Sequence, residues 1–378
     1  MTWGGPGGAG GYGGPGGRIR LVVLFGGRSA EHEVSCVTAV SVLRALDPLR
    51  YEVVPVGITR EGRWVQDHEA QRVLAAGGAA ALPAALVAAG EEIEPFGAFL
   101  SGDPATPTTV VFPLLHDPFG EDGAVQGLCE LAGVPYVGTA VLGSAVAMDK
   151  IVAKQLLAAA GLPIARYLGF RDGERPPAAQ LAALGWPVFV KPANLGSSIG
   201  VTRAAGPAEL DAAIAEALGY DEWVVVEEAI EGREIECGVL GNLDPEASLP
   251  GEVRPSRDFY DYEDKYEAGA AELLAPAPLP DEVTAEIRRL AVAAFRAVRA
   301  EGMARVDFFY APGGRVLVNE VNTIPGFTPI SMYPRMWEVS GVPYGELLDR
   351  LVDLALERHA RRAGRVGRGR ARGAPPGR

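Results

Sequence analysis

Near the C-terminal end of the chain, an Ala-Pro-Gly-Gly turn joins two runs of extended character. In both runs, polar side chains stand among apolar residues. If these runs form a β-hairpin over residues 304–322, alternate side chains of each strand point to the same face of the sheet. One face then carries a cluster of oxygen-bearing side chains with a cation beside it. The cluster consists of Asp307, Glu320 and Asn322, and the cation is Arg305, on the same face as Asp307.

This cluster predicts a metal site. Buried carboxylates repel one another and lose their hydration unless positive charge lies between them. Ligand sets made of oxygen atoms alone favour Mg²⁺ or Mn²⁺ over Zn²⁺. The alternative is an edge hairpin whose acids are solvated, but the flanking Val, Leu and Phe residues favour burial on both sides.

The composition predicts a globular protein of a reducing compartment. The chain has 378 residues and 48% hydrophobic content, enough for about two or three domains. Its net charge of -13 argues against nucleic acid as the main partner. Three cysteines without a CxxC pair and four scattered histidines favour neither a disulfide framework nor a zinc site. Without an apolar run of about 18 residues or a secretory signal, we expect a soluble, cytoplasmic protein with no membrane partner.

Apolar runs and turn residues predict an α/β chain that begins with an open parallel domain. The run at 19–25 is typical of a buried parallel strand, and the glycines that follow it precede a helix at about 29–46. The other predicted strands lie at 51–58, 109–115, 188–192, 223–228, 233–240 and 249–255, and the other predicted helices lie at 124–132, at 143–160, from 207, and at 281–300.

The two ends of the chain differ in composition from the middle. The Gly-rich start and the Arg-rich end are expected to be disordered, although weak contact of the Arg-rich end with RNA or anionic lipid is an alternative. The predicted parts are a disordered tail at 1–17, an N-terminal α/β domain at 18–145, a central part at 146–228, a C-terminal part at 229–358 with an irregular polar segment at 256–280, and a basic disordered tail at 359–378.

Lysine is rare in this chain and therefore informative. The four lysines stand at 150, 154, 191 and 265, whereas arginine is used almost everywhere that charge alone suffices. Lys191 follows a predicted strand and precedes a Gly/Ser loop that ends at Gly200. Such a loop can present backbone N–H groups and hydroxyls to phosphate oxygens, with the lysine as the opposite charge. For this segment alone, a plain turn between strands is an equally good interpretation.

The predicted strand at 223–228 leads into acidic residues that continue to Glu234. A strand edge can receive an adenine along its backbone, and a carboxylate can accept hydrogen bonds from the hydroxyls of a ribose. Taken alone, this segment is better explained as charged residues that close the end of a strand.

In combination, these segments resemble the ATP-grasp ligases, and the motifs around them resemble the D-alanine–D-alanine ligase family. The resemblance covers residues 19–358. It implies an N-terminal open parallel α/β domain followed by a two-part ATP-grasp module, with 256–280 as a lid over the active site. The motifs lie at 25–35, 115–123, 148–150, 191–200, 227–234, 258–266, 304–309 and 319–331.

The resemblance implies an enzyme that joins two D-alanines for peptidoglycan synthesis. The γ-phosphate of ATP would pass to the carboxylate of the first D-alanine, and the amine of the second would attack the acyl phosphate. Asp307, Glu320 and Asn322 would hold two Mg²⁺ ions, or Mn²⁺ in their place. The residues expected to contact ATP include Lys150, Lys191, Ser197, Ser198 and Asn319. Glu227 and Ile230 would flank the adenine, Glu234 would bind the ribose, and Lys265 would contact the transferred phosphoryl group.

The resemblance also implies a pocket for the first D-alanine. Glu31 would bind its ammonium group, within a hydrogen-bonded group that includes Ser197 and Tyr266. His116 is a further candidate for this pocket. The next residue, Asp117, departs from the family, which usually has glycine there. Its side chain would either block a φ > 0 conformation or add negative charge beside the pocket.

The remaining implied roles concern the joining step. Arg305 and the N–H group of Gly326 would form the oxyanion site that stabilises the tetrahedral intermediate. Ser331 and the N–H group of Met332 would receive the carboxylate of the second D-alanine. The resemblance also implies a homodimer.

Two other functions stay open on the sequence. A relative that forms D-alanyl-D-lactate or D-alanyl-D-serine would share these motifs, although the segment 262–266 resembles the dipeptide-forming type. A non-catalytic ATP-binding regulator would share the fold, but binding alone would not require Arg305 as an oxyanion cation.

Overall fold

The computed structural model describes residues 18–99, 108–255 and 271–373, which form three β-sheets flanked by helices. Lys265, Tyr266 and the Gly-rich start lie outside these ranges. The predicted α/β fold class is confirmed. Within the described ranges, no helix has both the length and the apolar character needed to cross a membrane.

The first sheet is built around the apolar run that opens the described chain. β1 (Ile19–Gly26) pairs in parallel with β2 (Tyr51–Ile58) on one side and with β5 (Thr109–Pro113) on the other. Parallel strands are covered on both faces, which explains the nearly continuous run of apolar residues in β1. The other elements of this region are α1 (His32–Ala45), β3 (Trp64–Gln66), α2 (His68–Ala75), a 3₁₀ turn (Ala79–Ala81), β4 (Glu91–Glu92), α3 (Pro95–Phe99) and α4 (Ala124–Ala132), and the strand order is β4-β3-β2-β1-β5.

The second sheet is antiparallel and carries the Gly/Ser loop. β9 (Trp223–Glu228) lies between β6 (Tyr167–Arg171) and β7 (Val188–Pro192), so its valines are buried. The loop connects β7 with the edge strand β8 (Thr202–Ala204). The helices of this region are α5 (Val141–Met148), α6 (Lys150–Ala159), α7 (Ala178–Leu184) and α8 (Pro207–Leu218).

The third sheet contains the predicted hairpin, which is confirmed. β14 (Gly302–Ala311) pairs antiparallel with β15 (Arg315–Asn322) on one side and with β10 (Arg233–Gly241) on the other. The segment 256–280, predicted to be irregular, includes a strand in its described part. The other elements are β11 (Glu246–Ala247), β12 (Gly251–Arg254), β13 (Glu272–Leu274), α9 (Asp281–Ala297), α10 (Met332–Val339) and α11 (Tyr344–Gly373).

The prediction of one helix over 143–160 is wrong, because Asp149 divides it into α5 and α6. Asp149 has an extended backbone, with φ -80° and ψ 107°, and its carboxylate accepts hydrogen bonds from the N–H groups of Ile151 and Val152 at 2.9 and 3.0 Å. These N–H groups have no partner inside the helix, so the carboxylate stabilises the new helix start. The break places Lys150 in the first turn of α6.

The prediction of a disordered tail at 359–378 is wrong over 359–373, because α11 continues to Gly373, and residues 374–378 lie outside the described chain. Arg358 on this helix is 3% exposed and donates to the carbonyl oxygen of Tyr136 at 2.6 Å. Arg362, one turn further, donates to Glu301 at 2.7 Å. The helix therefore joins the first region of the chain to the third sheet through these arginines. An arginine-rich composition by itself would equally suit a solvated tail.

Candidate active site

A cleft of about 1620 Å³ lies between the three sheets and collects most of the predicted site residues. Pockets for single small ligands are usually about 300–1,000 Å³, so this cleft has room for more than one ligand. The predicted residues on its wall are Glu31, His116, Lys150, Lys191, Ser197, Ser198, Glu227, Ile230, Glu234, Arg305, Asp307, Asn319, Glu320, Asn322, Gly326, Ser331 and Met332.

The hairpin contributes the polar cluster at one end of the cleft. Asp307 on β14 stands opposite Glu320 on β15, and Arg305 stands opposite Asn322. The guanidinium of Arg305 donates to both carboxylate oxygens of Asp307 at 2.7 Å, and the amide of Asn322 donates to the same carboxylate at 2.9 Å. Two parallel N–H···O bonds fix both the distance and the plane of this pair. The alternation read from the sequence therefore places these side chains as predicted.

Arg305 keeps its charge although its side chain is only 20% exposed. Burial disfavours the charged form, but Asp307 and Glu236 hold the pKa of Arg305 well above its usual value. Glu236 lies on the neighbouring strand β10, with a carboxylate oxygen 3.3 Å from Nε of Arg305. The cation is therefore held between two anions.

The hairpin also contains a feature that suits an oxygen-binding ion. The ladder shifts its register after Asp307, so that Phe308 pairs with Val318 and Asn319 is the extra residue on β15. Such a bulge changes the direction of a side chain. The side-chain amide oxygen of Asn319, Oδ1, is buried and has no hydrogen-bond partner among the described residues.

The donor set fits Mg²⁺ better than a metal that requires nitrogen or sulfur. Across residues 18–99, 108–255 and 271–373, no group of three or more His, Cys, Asp or Glu side chains could hold a metal ion. A site at the hairpin therefore needs amide oxygen in addition to Asp307 and Glu320. Carboxylate and amide oxygens together are the ligands of hard divalent cations.

The carboxylate of Glu227 lies between two lysines in the middle of the cleft. Glu227 on β9 is 3% exposed and accepts from Nζ of Lys191 at 2.5 Å and from Nζ of Lys154 on α6. Burial alone would raise the pKa of Glu227, but the two lysines hold it below its ordinary value. The result is a fixed anion that orients two cations.

The two lysines differ in their response to this environment. Burial lowers the pKa of Lys154, even though Glu227 opposes the effect. In Lys191, burial also opposes the charge, but the carboxylates of Glu227 and Glu320 raise the pKa above its ordinary value. Lys191 is thus the stronger candidate for a permanent positive charge facing phosphate oxygens.

Lys150 links the helix start at α6 to the Gly/Ser loop. Its backbone N–H donates to the carbonyl of Ala193 at 3.0 Å, and its Nζ donates to the carbonyl of Leu195. The loop continues with Ser197 and Ser198 in left-handed conformations, at φ 54° and 57°. Such a conformation turns successive backbone groups into a concave surface that suits an anion.

The first region of the chain reaches this loop through Glu31. The residue precedes α1, and its carboxylate accepts a hydrogen bond from the hydroxyl of Ser197. The structure therefore brings together two of the three residues predicted to form a hydrogen-bonded group. The third, Tyr266, lies outside the described residues.

His116 lies beneath Glu31 and is almost completely buried. Its Nδ1 is 3.8 Å from Glu31, 3.7 Å from Glu121 and 3.1 Å from the carbonyl oxygen of Ile324. Burial opposes protonation, but Glu121 and Glu31 raise the pKa of His116 to about 9. Nε2 is buried without a hydrogen-bond partner within the described parts of the chain.

Asp117 adopts the conformation that its side chain was expected to disfavour. Its φ is 62°, in the left-handed region, where Asp is one of the few tolerated side chains. The residue lies in the cleft wall and is 5% exposed, so its carboxylate is buried beside the other acids of the cleft. Burial and the charges of Glu31 and Glu121 raise the pKa of Asp117 to about 7.

The predicted residues of the joining step surround the start of α10. The hydroxyl of Ser331 is 2.8 Å from that of Thr328 and accepts from its N–H group at 3.1 Å. A Cβ atom at Gly326 would lie 3.2 Å from the same hydroxyl, so the chain passes close to it. Ser331 is the N-cap of α10, and Met332 provides its first N–H group. This helix has eight residues, and the free N–H groups at its start can bind a carboxylate.

Two further charged residues of the cleft, Lys154 and Glu121, were not among the predicted site residues. Lys154 had a usable signal, because it is one of only four lysines in the chain. Its partner Glu227, however, is 73 positions away, and only the packing of α6 against β9 brings them together. Glu121 lies in the motif at 115–123, but its contact with His116 required the fold of that loop.

The fold and the cleft are those of an ATP-grasp ligase. A solved structure of the D-alanine-D-alanine ligase from Coxiella burnetii matches with a TM-score of 0.79 and 37% identity, covering 94% of this chain and 99% of that one. The VanG D-Ala:D-Ser ligase from Enterococcus faecalis matches with a TM-score of 0.75 and 34% identity, covering 89% and 99%.

Sequence comparison narrows this class. The family model for the D-ala D-ala ligase N-terminus matches residues 20–139, and that for the C-terminus matches residues 156–353. A D-alanine--D-alanine ligase from Kineococcus radiotolerans is 51% identical over 364 residues, which cover 90% of this chain and 97% of the relative. The chain belongs to the D-alanine–D-alanine ligase family.

Proposed function

We infer that this protein is an ATP-dependent ligase that joins two molecules of D-alanine into D-alanyl-D-alanine for peptidoglycan precursors. The observation that carries this inference is the content of a single cleft. Lysines at a phosphate-type loop, an arginine held between carboxylates, and a carboxylate contacting the loop from another part of the chain all face one space. The lysines suit the phosphates of a nucleotide, the arginine suits an oxyanion, and the carboxylate suits the ammonium group of an amino acid.

The lysines and the hairpin would serve the nucleotide. Lys150 and Lys191 would neutralise phosphate oxygens, and the loop with Ser197 and Ser198 would close over them. Asp307, Glu320 and Asn322 would hold two Mg²⁺ ions. When bound, these ions supply positive charge that offsets the charge on the transferred phosphoryl group. The further ATP contacts that we propose are Glu227 and Ile230 at the adenine, Glu234 at the ribose, Lys265 at the phosphoryl group, and Asn319.

The reaction needs activation because oxide is a poor leaving group from a carboxylate. Transfer of the γ-phosphate forms an acyl phosphate and ADP, and attack by the amine of the second D-alanine then releases phosphate. Arg305 and the N–H group of Gly326 would stabilise the negative oxygen of the tetrahedral intermediate. The position of Arg305 between Asp307 and Glu236 supports this role, because its charge and its plane are both fixed.

The amino acids would occupy opposite sides of that arginine. Glu31, with Ser197 and Tyr266, would hold the ammonium of the first D-alanine, and His116 would line the same pocket. Ser331 and the N–H group of Met332 would receive the carboxylate of the second. The hydroxyl of Ser331 and the start of α10 lie together in the cleft, which supports a carboxylate site there.

A D-serine acceptor is the second candidate, because the VanG D-Ala:D-Ser ligase shares the fold at a TM-score of 0.75. The test is to offer D-alanine, D-serine and D-lactate together with ATP and Mg²⁺, and to identify the products by mass spectrometry. We expect D-alanyl-D-alanine as the main product and no product from L-alanine. Absence of this dipeptide would refute the proposal, and D-alanyl-D-serine as the main product would establish the second candidate.

We further propose a homodimer in the cytoplasm. The three cysteines, at positions 36, 129 and 237, are free and buried, which suits a reducing compartment. Light scattering of the purified protein tests the dimer, and a mass equal to one chain would exclude it.

A further inference from the structure

Asp117 is placed where it can act on the Gly/Ser loop. It follows His116 in the loop after β5, and its carboxylate points to the other side of the cleft. The Oδ2 atom lies 3.5 Å from the hydroxyl oxygen of Ser197. A Cβ atom added to Gly196 would lie only 2.0 Å from Oδ1 of Asp117. The missing side chain at 196 therefore leaves the space that this carboxylate occupies.

The Ser197 hydroxyl has two carboxylates beside it but one proton to donate. That proton goes to Glu31. The hydroxyl oxygen can accept a second hydrogen bond, so a protonated Asp117 could donate to it. The three groups would then form a chain from Asp117 through Ser197 to Glu31. An ionised Asp117 has no proton to donate and faces the charge of Glu31 across the same hydroxyl.

The charges around Asp117 favour its protonated form. Glu31 before α1 and Glu121 in its own loop are negative, while His116 and Lys150 at the start of α6 are positive. Burial and the two glutamates outweigh the two cations, which is why the pKa of Asp117 rises to about 7. Both protonation states are thus populated near neutral pH.

We propose that Asp117 is a positioning residue that, in its protonated form, holds the Ser197 hydroxyl against Glu31 and so favours closure of the Gly/Ser loop over the first amino acid. The inference rests on the roles proposed above for Glu31 and Ser197. It adds to them a pH-dependent contact between the first region of the chain and the loop.

Two substitutions separate the proton from the side chain. Asp117→Asn keeps the size and can donate an N–H to Ser197 at every pH. Asp117→Gly removes the contact and suits the backbone, because glycine adopts a φ of 62° without strain. Both variants should therefore fold, and thermal unfolding checks this.

The measurement is kcat/KM for the first D-alanine between pH 6 and pH 9, for the wild type and both variants. We expect the ratio of wild type to Asp117→Asn to fall as the pH rises through the apparent pKa of Asp117, and then to level off several-fold lower, because the ionised residue has lost the hydrogen bond that Asp117→Asn keeps. Asp117→Gly should have a kcat/KM several-fold below that of Asp117→Asn throughout this pH range.

The outcomes are distinguishable. A wild-type enzyme that makes no dipeptide overturns the proposed function and this inference with it. An active wild type whose pH profile is parallel to that of Asp117→Asn overturns the inference alone. Equal values for Asp117→Asn and Asp117→Gly would also overturn it, since the hydrogen bond to Ser197 would then contribute nothing.

Discussion

Glu227 and Asp117 are buried carboxylates in the wall of one cleft, but their surroundings shift them in opposite directions. Glu227 is 3% exposed and contacts Lys154 and Lys191, and its pKa is lowered. Asp117 is 5% exposed and lies near other carboxylates, and its pKa rises to about 7. Burial acts on both in the same sense, so the neighbouring charges decide the difference.

This difference matches two kinds of task. A carboxylate that stays ionised can hold cations in place, as Glu227 does with its two lysines on the side proposed for ATP. A carboxylate that gains and loses a proton near neutral pH can make or break a contact, as proposed for Asp117 beside the first amino acid. One cleft therefore contains a fixed and a variable anion.

The most severe test of the comparison removes a cation from Glu227. We expect Lys154→Met to lower the free energy of unfolding by about 3–5 kcal/mol, because loss of one partner leaves a buried charge less compensated. Urea unfolding followed by circular dichroism measures this. Because Lys191 still contacts Glu227 in this variant, we expect a value near the lower end of that range.

A double substitution provides the control for this prediction. Lys154→Met combined with Glu227→Gln removes both members of the ion pair, so the loss of stability should be smaller than the sum of the two single losses. If they add within error, the ion pair between Lys154 and Glu227 does not exist in solution, and the comparison loses one of its two members.

Arg305→Ala extends the comparison to a third carboxylate, that of Asp307, which also has a cation. We expect turnover to fall by about 10² to 10³, the usual loss when an oxyanion donor is removed, with nucleotide affinity largely intact. Steady-state kinetics and nucleotide titration by calorimetry measure the two quantities. Arg305→Lys keeps the charge without the planar pair of donors and should recover only part of the rate. Wild-type turnover in Arg305→Ala would remove the proposed role.

The buried His116, which lies beside the carboxylates of Glu31 and Glu121, predicts that the stability of the protein depends on pH. The pKa of His116 is raised to about 9, so its contribution is fully present below pH 6.5 and is lost as the pH rises through 9. We expect this loss to amount to at most about 3 kcal/mol. Thermal unfolding of the wild type and of His116→Gln from pH 6 to pH 10 measures it. Curves with the same pH dependence for both proteins would show that His116 is not held charged by Glu31 and Glu121.

The smallest expected effect concerns a carboxylate whose partners are backbone N–H groups. Asp149 caps α6 through the N–H groups of Ile151 and Val152. Asp149→Ala should cost about 1 kcal/mol of unfolding free energy, while Asp149→Asn should cost much less because it can still cap the helix. Equal stability of all three proteins in urea would show that this cap does not contribute.

Local patterns predicted much of the fold and part of the site. Alternation along the hairpin placed Arg305, Asp307 and Asn322 on one face, and the ladder confirms those neighbours. The break at Asp149 was missed although Asp is a strong helix-start residue, because the apolar pattern continues across it. The helical end at 359–373 was missed because arginine-rich composition does not distinguish a solvated tail from a helix whose arginines pair with distant groups.

The sequence by itself determined the family, the order of the motifs and the residue types that we propose to face phosphate, carboxylate and metal. These follow from local spacing and from the chemistry of each side chain. Only the tertiary structure decided which charges lie beside each buried carboxylate, such as Lys154 beside Glu227 and Glu31 beside Asp117. The reason is physical: interaction between charges depends on their separation in space and on exclusion of water, and both are set by packing of segments far apart in the chain.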